Sequence, residues 1–193
     1  MVKSNNLKEF LNLKVNQYNN PDFIKDDPIQ IPHLFNKKED IEISGFLTST
    51  IAWGNRKSII NSSKKMMGLL KNKPYDYIMN HNERDLKKLT QYVHRTFNGY
   101  DLIQFISSLK NIYQNHGGLE KIFSENIKDN SLHYSIHNFK KVFFEIEHLP
   151  RTQKHVSDPY KGSAAKRINM FLRWMVRKDK KGVDFGIWKS LDR

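Results

Sequence analysis

Leu102, Phe105, Ile106, Leu109 and Ile112 recur three and four residues apart, and Tyr113 extends the same face. Apolar residues at that spacing line one side of a helix, whereas a strand would need them at every second position. Similar spacing covers about 3–18, 39–53, 56–71, 83–93, 119–127, 132–147 and 163–178, and no run of β-branched residues alternates with polar ones. Pro21, Pro28 and Pro32 break up an extended N-terminal segment, Pro74 and Gly117-Gly118 separate helices, and Pro150 and Pro159 bracket an irregular approach to the last long helix. The pattern predicts an all-α fold. It has an N-terminal helix and Pro-containing segment (1–38), a helical lobe (39–149) and a basic segment with a long amphipathic helix (150–193), forming one compact unit.

Charge narrows the partners. Lys and Arg total 33 against 20 acids, a formal charge of +13, and +8 of it falls in Pro150–Arg193, where twelve basic residues face four acids. Such a balance suits a polyanion, nucleic acid before an anionic membrane, although lysine used as solubilising filler gives the same total. Cysteine is absent, which excludes disulfides, thiolate zinc sites, cysteine nucleophiles and cysteine-ligated iron–sulfur clusters. No apolar run approaches the roughly 20 residues needed to cross a bilayer, and the N-terminus is polar, so a cytoplasmic protein is expected. The residues call for no cofactor and no metal: His133 and His137 have the spacing of a helical metal pair, but no third ligand stands near them.

The last long helix divides into two faces. At about 100° per residue, Ala164, Ile168, Phe171, Leu172 and Met175 gather on one side, and Lys166, Arg173 and Arg177 on the other. Ser163 is a suitable N-cap, and Gly162 permits a turn that aims backbone amides at an anion.

Asp27-Pro28, Pro32-His33, the run from Asp40 to Lys57, Pro74-Tyr75, His94-Arg95-Thr96-Phe97, Lys154-His155 and the stretch Ser163–Trp188 together resemble a bacterial family defined by a domain of unknown function. More distantly, the chain is similar to the helix-hairpin-helix base-excision DNA glycosylases. That resemblance implies a two-lobed helical fold with a cleft between the lobes. Gly162-Ser163-Ala164-Ala165-Lys166 stands where that superfamily has a Gly-hydrophobic-Gly hairpin ending in its catalytic lysine, with Ala164 in place of the second glycine and no Leu-Pro ahead of it. Val183-Asp184, with Asp184 18 residues after Lys166, matches the superfamily's aspartate. Glu42 and Phe46-Leu47-Thr48-Ser49 resemble its early helix and base-pocket residues, with Ile51 where a polar intercalating residue is common. The superfamily continues for further helices beyond the aspartate, so a catalytic lobe completed by residues beyond Arg193, and an apolar patch left open for them, are expected.

The resemblance implies a glycosylase with lyase activity, in which Lys166 attacks the sugar as a neutral amine and Asp184 stabilises the cationic sugar. A helix N-terminus and the charge of Arg167 both disfavour a protonated Lys166. Trp53, Asn55 and Arg56 offer a stacking surface, an amide for a base edge and a phosphate contact, while Gly162, Ser163, Arg167, Arg173 and Arg177 complete the expected DNA-binding set. Each residue also has a plainer reading: Asp184 caps a short helix at Phe185–Leu191, Trp53 and Trp174 are core, and Asn55-Arg56 cap and begin the next helix. The expectation is a DNA-binding protein that acts on damaged bases, or a non-catalytic helical DNA- or RNA-binding protein that shares the basic hairpin.

Overall fold

The computed structural model describes residues 4–128 and 130–191. The helices are α1 (Ser4–Tyr18), α2 (Lys38–Thr50), α3 (Arg56–Leu69), α4 (Pro74–Asn80), α5 (Glu83–Leu89), α6 (Gly99–Asn115), α7 (Leu119–Glu125), α8 (His133–Phe143) and α9 (Lys166–Val176). The fold is all-α apart from one small antiparallel hairpin, β1 (Val93–His94) with β2 (Phe97–Asn98), in which His94 pairs with Phe97. Among the described residues, no helix is long and apolar enough to cross a membrane.

The prolines begin elements rather than merely breaking them. Pro21, Pro28, Pro32, Pro150 and Pro159 each open a short 3-10 turn, and Pro74 opens α4, because a first helical position needs no N–H and suits the fixed φ of proline. For that reason α4 lies where the sequence pattern suggested only a separator. The predicted helix at 83–93 is cut short at Leu89. The Thr90 hydroxyl turns back onto the Lys87 carbonyl at 2.7 Å, and the following residues enter β1. The predicted helix at 132–147 ends at Phe143, and the one at 163–178 begins only at Lys166. Lys3, the first residue of the 3–18 pattern, lies outside the described residues.

Every residue of α2 from Ile41 to Thr50 is buried, so this helix is enclosed on all sides rather than along one stripe. Its Phe46 ring lies within 5.8 Å of Phe105, Phe139, Phe143 and Phe171, drawing α6, α8 and α9 to one point. Gly45 lets α9 close on α2: a Cβ there would stand 3.2 Å from Met175 Cε and 3.5 Å from the Phe171 ring. Near the start of α2 the buried Glu42 carboxylate accepts the indole N–H of Trp188 and the hydroxyl of Tyr113, each at 2.6 Å. Burial pushes the Glu42 carboxyl up, against the two donors and Lys38, which favour its charged form.

Helix α1 differs from the rest. Leu7, Phe10, Leu11, Leu13, Val15 and Tyr18 are all about half exposed or more, so its apolar residues do not reach the core. Its C-terminal end is held by polar contacts: Asn19 accepts from Arg177 and donates to Asp179, both at 2.8 Å.

Two capping boxes fix the junction from α5 to α6. Asn82 and Asp85 close the first, and Asn98 and Asp101 the second. Between them the chain packs so tightly that a Cβ on Gly99 would fall 2.4 Å from the Leu89 carbonyl oxygen and 2.5 Å from Thr90 backbone atoms. Because backbone cannot yield as a side-chain end can, Gly99→Ala is expected to destabilise the protein by at least about 2 kcal/mol, measured by urea unfolding. A loss below about 0.5 kcal/mol, the range of ordinary surface substitutions, would show that the junction is looser than this packing implies.

Candidate functional site

The C-terminal end of α2 runs into a turn, Ile51 to Asn55, that ends at the N-cap of α3. The side chain of Asn55 accepts from the backbone N–H of Ser58 at 3.1 Å, so Asn55 caps α3, as its plainer reading anticipated. Gly54 has φ +98°, and a Cβ there would overlap the Arg95 guanidinium at 2.2 Å. Glycine is favoured here by the left-handed backbone, while the Arg95 end could swing aside for a Cβ. Arg95 at the tip of the β1–β2 hairpin donates to the Trp53 carbonyl at 3.4 Å.

Trp53 is half-buried and enclosed by charge and imidazole. The Arg167 guanidinium lies over its ring at 4.9 Å, His94 meets it edge-on at 5.2 Å and His155 is stacked at 6.3 Å. Arg167 also donates to the Thr50 carbonyl at 2.5 Å, at the negative end of α2. No carboxylate of the described residues lies within ion-pairing distance of it, and burial pushes its guanidinium pKa down. Arg167 thus covers one face of the Trp53 ring.

The two imidazoles behind Trp53 are neutral at pH 7. His94 takes part in a 2.8 Å hydrogen bond with Ser62, and burial followed by the Arg95 charge lowers its pKa. His155 is held lower still, at about 4. Burial dominates, the Asp101 carboxylate opposes, and the Lys154 and Arg167 charges add to the lowering. His155 Nε2 lies 3.3 Å from Asp101 without hydrogen-bond alignment. Asp101 itself accepts from Arg151 and Thr152, each at 2.8 Å, and from the Asn98 amide at 3.0 Å. The sequence motifs His94-Arg95-Thr96-Phe97 and Lys154-His155 thus meet behind one indole, a convergence that their separation along the chain hides.

The hairpin ahead of α9 is built differently from the expectation. Ser163 is not the N-cap: its hydroxyl accepts from the Ala165 amide at 3.2 Å, and Ala165 holds the cap position in a left-handed conformation, φ 46°. Gly162 is left-handed too, φ +76°, with open space where a Cβ would stand. Ala164 is not among the residues of positive φ, so alanine there in place of glycine meets no backbone conflict. Asp158 ties the hairpin to α8 by accepting from His137 at 2.9 Å, and the His133 and His137 rings both pack against Tyr160 at about 4.5 Å. Among the described residues no group of three or more His, Cys, Asp or Glu is placed to hold a metal ion.

Lys166 is exposed in the first turn of α9, next to Arg167. Asp184 lies elsewhere. Its fully buried side chain takes Arg173 Nε at 3.2 Å and a shorter bond from Arg177 Nε, two and three turns further along α9, roughly 10 and 16 Å of helix rise from Lys166. Arg177 also pairs with Asp179. The structure therefore brings Asp184, Arg173 and Arg177 together and keeps that group apart from Lys166. The short helix expected at Phe185–Leu191 is reduced to a 3-10 turn at Lys189–Leu191, and Asp184 caps nothing. The Asp27 carboxyl, half-buried and pushed up by that burial, shares the electrostatic neighbourhood of Arg56, Arg173 and Asp184. Trp174 is core, as its plainer reading held.

Residues 27–193 match a family model described as Protein of unknown function (DUF2400). The chain belongs to the DUF2400 family. The match begins at Asp27, leaving α1 outside it, and includes every residue placed around Trp53. No curated protein and no solved structure matches the chain.

The neutral state of His155 makes the site acid-sensitive. Its pKa is about 4 when folded and 6.5 as an ordinary imidazole, so its contribution is fully present above about pH 6.5. It is lost as the pH falls towards 4, by on the order of 3 kcal/mol. Urea unfolding of the native protein and His155→Gln at pH 7.5 and 4.5 measures this, with a shallower loss expected for the variant. Parallel losses would place the acid sensitivity in other groups.

Proposed function

We propose that this protein binds DNA through the Trp53–Arg56 turn and the start of α9. The observation that supports this reading is the pairing of two helix starts at one indole. α3 begins with Arg56-Lys57 and α9 with Lys166-Arg167, neither has an acid in its first turn, and Arg167 lies over Trp53 two residues before Asn55 caps α3. Cations at the positive end of a helix are unfavourable alone, whereas an anion placed there meets both the amides and the side chains. Arg56, Lys57 and Lys166 have no ion-pair partner among the described residues, so the charge is available to a phosphate backbone. Gly162, with open space around it, lets a backbone approach the hairpin.

If about five phosphates are neutralised, log K for a duplex should fall against log salt with a slope near −4 to −5. Arg167→Ala should weaken binding to all duplex sequences about tenfold or more, by losing a phosphate contact and the cation that holds the Trp53 ring. Anisotropy titrations at several salt concentrations provide the measurement. Wild-type protein that shows no salt-dependent binding would overturn the reading.

A second reading, a base-excision glycosylase with lyase activity, draws on the exposed amine of Lys166 beside this surface and on the resemblance of the hairpin. With Asp184 committed to Arg173 and Arg177, the amine would act without that carboxylate. Borohydride trapping on duplexes with damaged bases tests it: a trapped complex in the native protein that Lys166→Gln abolishes, while binding survives, is the expected result. Trapping retained by Lys166→Gln would remove Lys166 from the chemistry.

A further inference from the structure

The basic surface does not stop at the start of α3. Arg56, Lys57, Ile60 and Lys64 of that helix line a groove of about 440 Å³, whose other wall is Lys25, Asp26 and Gln30. Lys57 and Lys64 are seven residues apart and so point the same way, with the half-buried Ile60 between them at the floor. Over its whole length, Arg56–Leu69, α3 carries Arg56, Lys57, Lys64 and Lys65 and no acid. None of these four cations has an ion-pair partner among the described residues. On the opposite wall the Gln30 side chain donates to the Lys25 carbonyl at 2.6 Å, the exposed Lys25 pairs with Asp22 at 2.7 Å, and Asp26 adds an acid to the lining.

We infer that this groove holds the sugar-phosphate backbone of one DNA strand, continuing the track that begins at the paired helix starts. The inference rests on the DNA-binding reading and extends it to a defined path. Two observations commit the groove to this occupant: its charge is unneutralised and of one sign on the α3 wall, and Arg56 belongs both to the groove and to the Trp53 turn. The dimensions fit. From Lys57 to Lys64 the helix rises about 10 Å, enough to set one lysine against each of two neighbouring phosphates of a strand. The groove floor is a single isoleucine, too little apolar surface for a folded protein partner to anchor on.

The test uses the full chain, a 20-base-pair duplex and the exposed-residue variant Lys57→Gln/Lys64→Gln. Loss of two phosphate contacts should make the salt slope shallower by about 2. Interference by methylphosphonate substitution should lose about two neighbouring phosphates from one strand, with the remaining contacts unchanged. A native slope and native interference pattern in the variant would overturn the groove assignment while leaving the DNA-binding reading intact. Absence of duplex binding by the native chain would overturn both. Binding of an acidic protein at this groove, with the interference pattern unaltered by the double substitution, would assign the surface to that partner instead and also overturn the inference.

Discussion

The Glu42 carboxylate is the joint on which the rest of the structure depends. It is a buried acid near the start of a helix that is buried from Ile41 to Thr50, and it holds Tyr113 of α6 and Trp188 of the C-terminal segment at 2.6 Å each. An unpaired carboxylate in that position would be costly, and two donors plus the nearby Lys38 offset the cost. The other end of α2 is held by the same part of the chain, since Arg167 donates to the Thr50 carbonyl. Residues far apart in sequence therefore grip α2 at both ends, and Gly45 allows α9 to lie against it in between. The site at Trp53 exists because α2, once gripped, delivers its last turn to the first turn of α9.

The helical character of the chain was legible because spacing of apolar residues reports a buried face directly. The stripe from Leu102 to Ile112 became the inner face of α6, every member fully buried. Boundaries were less legible, for reasons that are local. Pro74 reads as punctuation but begins α4, and the end of α5 carries a hydroxyl bond that apolar periodicity does not report. The short β1–β2 pairing left no alternation long enough to notice, since two residues per strand do not make a pattern. α1 shows the opposite failure: its apolar residues have a helical rhythm, yet rhythm does not state that a partner surface exists.

The turns and helix starts around Trp53 were legible in sequence, and the pairings made there were not. Trp53, Asn55, Arg56, Arg167 and Gly162 lie in turns and at helix starts, which are marked in sequence by Gly, Asn and N-terminal position. What sequence does not state is which charge neutralises which. Arg173 and Arg177 share a helix face with Lys166, and a wheel makes the three equivalent. In the folded protein a single aspartate from the following loop takes two of them by their Nε atoms. The same blindness hides His94 and His155, more than fifty positions apart, which meet at the one indole that Arg167 also touches.

Formal charge is consequently a poor guide to where an anion can bind. Twelve basic residues follow Leu149, but Arg151, Arg173 and Arg177 are each committed to buried carboxylates. Arg167 differs from these three because its partners are a carbonyl and an indole, neither of which cancels its charge. A guanidinium in that state keeps its attraction for a phosphate while its position is already fixed, so little side-chain freedom remains to be lost on contact. The same holds for the backbone amides at the starts of α3 and α9, which are rigid before any partner arrives. The surface lysines have the charge without the fixed geometry. The rigidly held charge of this surface is therefore concentrated in the small region where α2, α3 and α9 meet.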